Sequence, residues 1–294
     1  MQVQKSFDHT GGVLYIVGTP IGNLDDWTPR AKNAFEAADV IAAEDTRHTQ
    51  KLLNRFGIRK PLISYHEHNR HNREKELLNR LRQGETVALV SDAGMPGISD
   101  PGEELIRSAI ACNIPVIPVP GPNAAVTALV ASGLPPQPFL FLGFLPRNAR
   151  DREEVCRRWS KVEATLVCYE APHRLKAMLQ TVREVMGDRR VALARELTKR
   201  HEEWLRGTVS ECLQWLEDHP PRGEYTIVIA GWEGEGSSMD DPAETAWWQS
   251  MNVIEHVEHY LTQGETKKVA IQRTAQDRGL PKREVYNLYH REQD

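Results

Sequence analysis

Two aspartates and three glycines crowd into the twelve residues Ser91-Asp92-Ala93-Gly94-Met95-Pro96-Gly97-Ile98-Ser99-Asp100-Pro101-Gly102. Glycine leaves the backbone bare, so that a ligand can approach its amides and carbonyls closely. The carboxylates add negative charge to the same surface. A second turn, Gly18-Thr19-Pro20-Ile21-Gly22-Asn23-Leu24, has its glycines four apart with a proline between them. That spacing suits a rigid wall against an uncharged part of a ligand. It lacks the GxGxxG pattern of dinucleotide sites and the Lys-Ser/Thr pair of a P-loop. Charged residues gather at three further places: Glu44-Asp45-Thr46-Arg47, Glu170-Ala171-Pro172-His173-Arg174, and Arg195 to Glu203. A bare-backbone pocket with one or two carboxylates fits a cofactor that carries an adenosine and a small polar or charged end.

Other chemistries are disfavoured. The chain has no GxSxG, so a nucleophilic serine is not signalled. It has no HExxH, and its four cysteines, Cys112, Cys156, Cys168 and Cys212, form no CxxC pair. Zinc and a disulfide framework are therefore not expected, and a reducing cytoplasm is. His66, His68 and His71 read as surface residues in an arginine-rich stretch rather than as metal ligands.

The elements that position these groups follow from hydrophobic runs. Val13–Val17, Val40–Ala43, Ile63–Tyr65, Thr86–Val90 and Val116–Val119 read as strands, each ending at or near one of the polar or glycine-rich stretches. Helices are expected at Thr28–Ala38, opened by Pro29, and at Lys51–Arg55, Asn72–Gln83 and Glu103–Cys112, the last started by an Asp100 cap with Pro101 at the first position. Pro118–Pro122 reads as a hinge. Beyond it the pattern gives helix Asn123–Ser132, strand Phe139–Phe144, basic helix Asp151–Lys161, strand Thr165–Tyr169, helix Leu175–Met186, strand Val191–Ala194, helix Val209–Glu217 and strand Tyr225–Ala230. Alternating strands and helices imply an α/β fold with a largely parallel first sheet. Ligands of such sheets bind beyond the carboxyl ends of strands.

Gly231–Asp241 reads as an acidic linker, and Thr245–Leu261 as an amphipathic helix. Val269–Arg278, a Gly279-Leu280 turn and Pro281–Tyr289 then have helix-turn-helix spacing. Lys267, Lys268, Arg273, Arg278, Lys282 and Arg283 make that tail basic, which suits RNA. The expected divisions are therefore residues 11–120, 121–236 and 237–294. The 294-residue chain has a net charge of −4, so no global basic field points to nucleic acid. Residues 47–82, however, hold ten Lys and Arg against three Glu, a local surface suited to phosphates. The N-terminal stretch lacks a signal-peptide apolar core. The charge-free span 108–146 is broken by eight prolines and cannot be one membrane helix.

Seven stretches in one order, GTPIGNLDDWTPRA, EDTRHTQKLL, SDAGMPGISDPG, PVPGPNAAVTAL, YEAPHR, RELTKRHEEWLRGT and GEYTIVIAG, together resemble the tetrapyrrole-methylase-like, class III S-adenosylmethionine-dependent methyltransferases. Within that family they are most similar to the subgroup that methylates a cytidine 2′-hydroxyl of small-subunit (16S) ribosomal RNA. Ser-Asp-Ala in the third stretch departs from the GDP-type loop of the tetrapyrrole enzymes.

The resemblance implies two α/β domains with S-adenosyl-L-methionine folded into the cleft between them, a small C-terminal helical domain, and a homodimer. It implies that Pro20 and Gly22 form one wall of the site. Asp92, Ala93, Gly94 and Ile98 would hold the methionine end. Ala124, Ala125 and Thr127, with Tyr169, Ala171 and Pro172, would enclose the adenosine. For the hydroxyl proton, Glu44 and Asp45 are the first candidates, then Glu196 and Lys199. Arg47, Arg174 and Arg195 are candidates for RNA phosphates, because a planar guanidinium binds them bidentately. The rival readings are a small-molecule methyltransferase on the same fold and a non-catalytic RNA-binding protein.

Overall fold

Short apolar runs build the first sheet. In the computed structural model, which describes residues 3–6, 10–234, 248 and 251–291, they form β1 (Leu14–Val17), β2 (Val40–Ala43), β3 (Leu62–Ser64), β4 (Val87–Val90) and β5 (Val116–Val119). Every residue of β2 and β4 is buried, as expected for strands covered on both faces. The sheet order is β3-β2-β4-β1-β5 and all its pairings are parallel. Helices α1 (Pro29–Ala37) and α2 (Thr46–Arg55) bury Ala31, Ala34, Phe35 and Leu53 on one face. Helices α3 (Arg70–Arg82) and α4 (Glu103–Ala111) bury Leu77, Leu78, Leu81 and Leu105 on the other. Strands β1 and β4 are neighbours, yet their following helices leave toward opposite faces. That divergence opens a crevice at their carboxyl ends.

The second sheet is mixed. Its elements are α5 (Ala124–Ala131), β6 (Phe139–Phe144), α6 (Ala149–Trp159), β7 (Thr165–Glu170), α7 (Pro172–Met186), β8 (Arg190–Arg195), β9 (Glu203–Thr208), α8 (Val209–Asp218) and β10 (Tyr225–Ile229). The strand order is β6-β7-β10-β8-β9; β6 and β7 are parallel and the other pairs antiparallel. Alternation along β10 sends Ile227 and Ile229 into the core beneath α6, α7 and α8. Val228 goes to the opposite face, against Ala125, Ala128 and Leu129 of α5.

Three differences from the sequence reading bear on the site. α2 begins at Thr46 rather than Lys51, because Asp45 caps it and accepts the Arg47 amide at 2.8 Å. α4 begins at Glu103 with Gly102 as its cap, so Asp100 and Pro101 stay in the loop before it. Residues 203–208, of which only Glu203 was read, as the end of a charged stretch, form β9. This edge strand has little apolar content of its own and is held by its ladder to β8, which sets Arg195 opposite Glu203.

The chain divides into two units, Met1–Trp232 and Glu233–Asp294, and both sheets belong to the first. The strands of each sheet fall within one of the expected spans, 11–120 and 121–236. The second unit holds α9 (Val253–Thr262), α10 (Lys267–Asp277) and α11 (Lys282–Arg291) around Val257, Ala270, Ile271, Val285 and Tyr289. Residues 235–241 of the expected linker, and 245–247, 249 and 250 of the expected amphipathic helix, lie outside the described residues. Asn252 opens α9 through a capping box with Glu255. Among the described residues, no helix is long and apolar enough to cross a membrane.

Candidate active site

The two glycine-containing loops are fastened to each other. Thr19 and Gly94 exchange backbone hydrogen bonds of 2.9 and 3.1 Å, and the Thr19 hydroxyl donates to Ser91 O at 3.3 Å. Gly18 lies against Gly121 at the start of the segment leading to α5: a Cβ on Gly18 would fall 2.7 Å from the Gly121 Cα. Only glycine at both positions permits that backbone approach. On the other side, the Asn23 amide donates to Thr198 Oγ1 at 3.0 Å, joining the β1 loop to the loop after β8. Non-glycine residues with positive φ are Ser99, Asn113, Glu196 and Thr198 among the described residues; all but Asn113 sit on the loops just named. Strained backbone collects where a site is held in shape.

These loops enclose a cavity of about 490 Å³, within the usual range for a small-molecule site. One wall is apolar and aromatic: Ile21, Ala124, Phe144, Tyr169, Ala171 and Pro172. Tyr169 is fixed by the Ala125 amide, which donates to its hydroxyl at 3.2 Å, and by edge-on rings of Phe141 and Phe144. The floor is acidic, with Glu44, Asp92 and Asp100. Asp92 Oδ1 accepts the Asp45 amide at 3.0 Å. Burial raises the Glu44 pKa, and the neighbouring Asp92 charge adds to the rise. Burial also raises Asp100 to about 7, reinforced by the charge of Glu44. At the far end, Lys199 Nζ bridges Glu196 at 3.0 Å and Glu224 at 2.7 Å. Despite burial, hydrogen bonds to those carboxylates keep the Lys199 pKa raised.

Of the site residues expected from the sequence, Glu44, Asp92, Ala93, Gly94, Ile98, Ala124, Tyr169, Ala171, Pro172, Glu196 and Lys199 line this cavity. Pro20, Gly22, Ala125 and Thr127 do not line it. Pro20 is buried between the fastened loops, Gly22 packs against Lys199, and Ala125 supports the wall through its amide. Asp45 is engaged as the α2 cap and by Arg47, whose hydrogen bonds lower its pKa to about 2. Glu196 is held by Lys199 and the Glu224 amide, and its pKa is lowered. A strongly ionised carboxylate is a weak proton acceptor.

The three candidate phosphate-binding arginines lie off the cavity. Arg47 is exposed and paired with Asp45. Arg174 spends its guanidinium on Leu145 O, Pro146 O and the fully buried Glu170. Arg195 holds Arg222 O and Glu203. Sequence reading passed over Ile21, Met95, Ser99, Asn123, Phe144 and Glu224 as lining residues. Each except Phe144 lies inside one of the seven quoted stretches, so position within a motif was the available signal. Asp100 was read as one of the loop's two carboxylates and as a helix cap, but not named as a site residue.

The donor set fits S-adenosyl-L-methionine. An acidic floor suits the cationic methionine end, while the tyrosine, proline and alanine wall suits an adenosine. When bound, the cofactor would supply an electrophilic methyl group; the chain would hold it between that floor and that wall.

In the second unit, Arg278 is consumed internally, donating to His256 and to the carbonyls of Trp248, Met251 and Asn252. Arg273 pairs with Glu265 at 2.8 Å, and Lys267 lies over the Tyr289 ring. Lys268, Lys282 and Arg283 are exposed cations on α10 and α11.

Comparison with known proteins follows the same lines. A relative from Halalkalibacterium halodurans named ribosomal RNA small subunit methyltransferase I is 50% identical over 99% of this chain and 100% of its own length. The Bacillus subtilis protein of the same name is 48% identical over 95% of this chain and 94% of its own. Among solved structures, the methyltransferase CobJ superposes with a TM-score of 0.57 at 17% identity, covering 75% of this chain and 94% of that one. Diphthine synthase gives a TM-score of 0.57 at 12% identity, covering 75% and 90%. These structural likenesses speak for the fold alone. The model of the tetrapyrrole (corrin/porphyrin) methylases matches residues 13–213, which takes in all of β1–β9 and every cavity residue except Glu224, Tyr225 and Thr226; the chain belongs to that family.

Proposed function

We propose that this chain transfers a methyl group from S-adenosyl-L-methionine to the ribose 2′-hydroxyl of a cytidine in small-subunit ribosomal RNA. The observation that carries this reading is the 50% identity, over 99% of this chain and 100% of the relative, to a protein named for methylating that RNA. The cavity supports it with an acidic floor and an aromatic wall in one enclosed site. The leaving group is already good, so catalysis rests on in-line positioning away from water. Here the chain contributes the fastened Thr19–Gly94 loops, the Tyr169 wall and the Lys199 bridge.

RNA is held outside the cavity. The basic stretch 47–82 and the exposed Lys268, Lys282 and Arg283 are the groups suited to phosphates. The three divisions 11–120, 121–236 and 237–294, work in the cytoplasm and a homodimeric state belong to the same reading; light scattering on the purified protein tests the last. The fold is shared with tetrapyrrole enzymes, but no feature of the cavity favours a porphyrinoid over RNA.

The test is methyl transfer from labelled cofactor to small ribosomal subunits that lack the modification, followed by nucleoside digestion. Label in 2′-O-methylcytidine is the expected result. Label on a base, or transfer only to a tetrapyrrole, would overturn the assignment.

A further inference from the structure

The carboxyl end of β6 forms a rim at the mouth of the cavity. The ladder between β6 and β7 shifts register between Phe141 and Gly143. Such a bulge re-aims the side chains beside it. Gly143 has a φ of 64°, and a Cβ there would lie 3.3 Å from Ser99 Oγ, so the strand end abuts the loop after β4. Phe144 comes next. Its ring lines the cavity and lies edge-on to Tyr169, with centroids 5.6 Å apart, yet the residue is 55% exposed.

Two arginines fix the backbone that follows. Arg174 Nη2 donates to Leu145 O at 2.6 Å and to Pro146 O at 3.1 Å. Buried Arg152 donates through Nη1 to Arg147 O at 3.3 Å, and its Nε is anchored on Thr181 Oγ1 at 3.0 Å. Three successive carbonyls are thus held by the protein, and Leu145 is buried in the core. Asn148 then caps α6. Phe144, Arg147 and Arg150 are left exposed on this rigid loop. The guanidinium groups of Arg147 and Arg150 make no hydrogen bond or ion pair among the described residues, and the exposed Asp151 and Glu154 of α6 pair with neither. In the basic stretch 47–82, by contrast, Arg47, Arg70, Arg73 and Arg80 each pair with a carboxylate.

We propose that this rim receives a single-stranded segment of the RNA, with the target cytosine stacked on Phe144 and the phosphates that flank its ribose on Arg147 and Arg150. The proposal rests on the functional reading above. Glu44, Asp92 and Asp100 on the cavity floor repel a polyanion, so the RNA backbone stays at the mouth. Uncommitted guanidinium groups at that mouth supply the counter-charge and match phosphate geometry. An enclosed site admits a nucleotide only when it is drawn out of its stack, and the unstacked base then needs a new aromatic face. Phe144 offers one beside Tyr169, at the edge of the wall assigned to the cofactor. Every base has such a face, so Phe144 holds the cytosine without selecting it.

The test uses small ribosomal subunits that lack the modification, as ligand and as substrate. The variants are Phe144→Leu, Phe144→Tyr and the double variant Arg147→Gln with Arg150→Gln. All three positions are exposed, so each variant should melt as wild type does. Leucine keeps apolar bulk toward the cavity and removes the stacking face. Phe144→Leu should lower kcat/KM by about 5- to 150-fold, the loss of one base stack, and Phe144→Tyr should recover it to within about three-fold of wild type. The arginine variant should weaken subunit binding and flatten the slope of log affinity against log salt by about one to two. Each variant should bind S-adenosylhomocysteine within a factor of about three of wild type.

On subunits that wild type methylates, an unchanged kcat/KM in Phe144→Leu would overturn the base stack, and an unchanged salt slope in the arginine variant would overturn the phosphate contacts. Loss of rate in Phe144→Leu in step with loss of cofactor affinity would place the ring in the cofactor wall and likewise overturn the stack. A wild-type protein that binds cofactor but methylates no subunit RNA would refute the functional reading, and the rim as an RNA site with it.

Discussion

Gly18 and Gly121 meet backbone to backbone: a Cβ on Gly121 would lie 2.8 Å from the Gly18 Cα, and one on Gly18 would lie 2.7 Å from the Gly121 Cα. This contact joins the end of β1 to the segment that starts α5, and so joins two walls of the cavity. Neither backbone can move without shifting its strand or helix. Gly18→Ala and Gly121→Ala should each lower stability by about 1–3 kcal/mol, as overpacking does, and should weaken cofactor binding. Thermal unfolding and calorimetry check both. Wild-type stability in both variants would show that the contact is not tight.

Arg174 should behave as a structural residue rather than as an RNA contact. Its side chain is 17% exposed, and its partner Glu170 is fully buried with one carboxylate oxygen lacking a hydrogen-bond partner. Arg174→Met strands that carboxylate and should cost about 3–5 kcal/mol. Adding Glu170→Gln should recover part of the loss, since the buried charge is then gone. Denaturant unfolding of the single and double variants gives the coupling. A fully stable Arg174→Met with weakened RNA binding would return Arg174 to the phosphate-binding set.

Asp45 gives a pH signature. Its folded-state pKa is lowered to about 2 by Arg47. A lowered carboxylate pKa stabilises the fold above its unfolded value of about 3.9, and that contribution is lost as pH falls toward 2. Asp45→Asn should therefore unfold more easily than wild type at pH 7, with the difference shrinking below about pH 4. Thermal melts across that range test the sign. A difference that grows on acidification would mean the carboxylate is not held ionised by the cap.

The tail should matter for RNA and not for cofactor. A chain ending before Met239 keeps every residue of the cavity, so it should bind S-adenosyl-L-methionine as the full chain does. It loses Lys268, Lys282 and Arg283, and methylation of small subunits should fall sharply. Unchanged methylation would assign the second unit another role.

Much of this arrangement was legible in the chain because strand ends and site coincide. The apolar runs at 13–17, 40–43 and 86–90 are strong signals, and each is followed by a cavity loop. β9 was not legible: its sequence EWLRGT has weak apolar content, and its ladder to β8 defines it. The roles of charged residues were the least legible. Asp45, Arg47, Arg174 and Arg195 are all chemistry-capable, yet Asp45 and Arg47 engage each other at the start of α2, and Arg174 and Arg195 hold carbonyls that only the folded chain brings near. Asp100 shows the opposite case. Its sequence context, Asp-Pro-Gly-Glu, matches a helix cap, but the positive φ of Gly102 shifts the start of the helix and leaves the carboxylate in the wall.

The cavity over Glu44, Asp92 and Asp100 should hold S-adenosyl-L-methionine. Calorimetry on wild type and Asp92→Ala tests it most directly. Wild type should bind with micromolar affinity and the variant ~10-fold or more weakly, a loss of about 1.4 kcal/mol or greater. Equal affinity in the two folded proteins, or no binding by wild type with and without small ribosomal subunits, would contradict it.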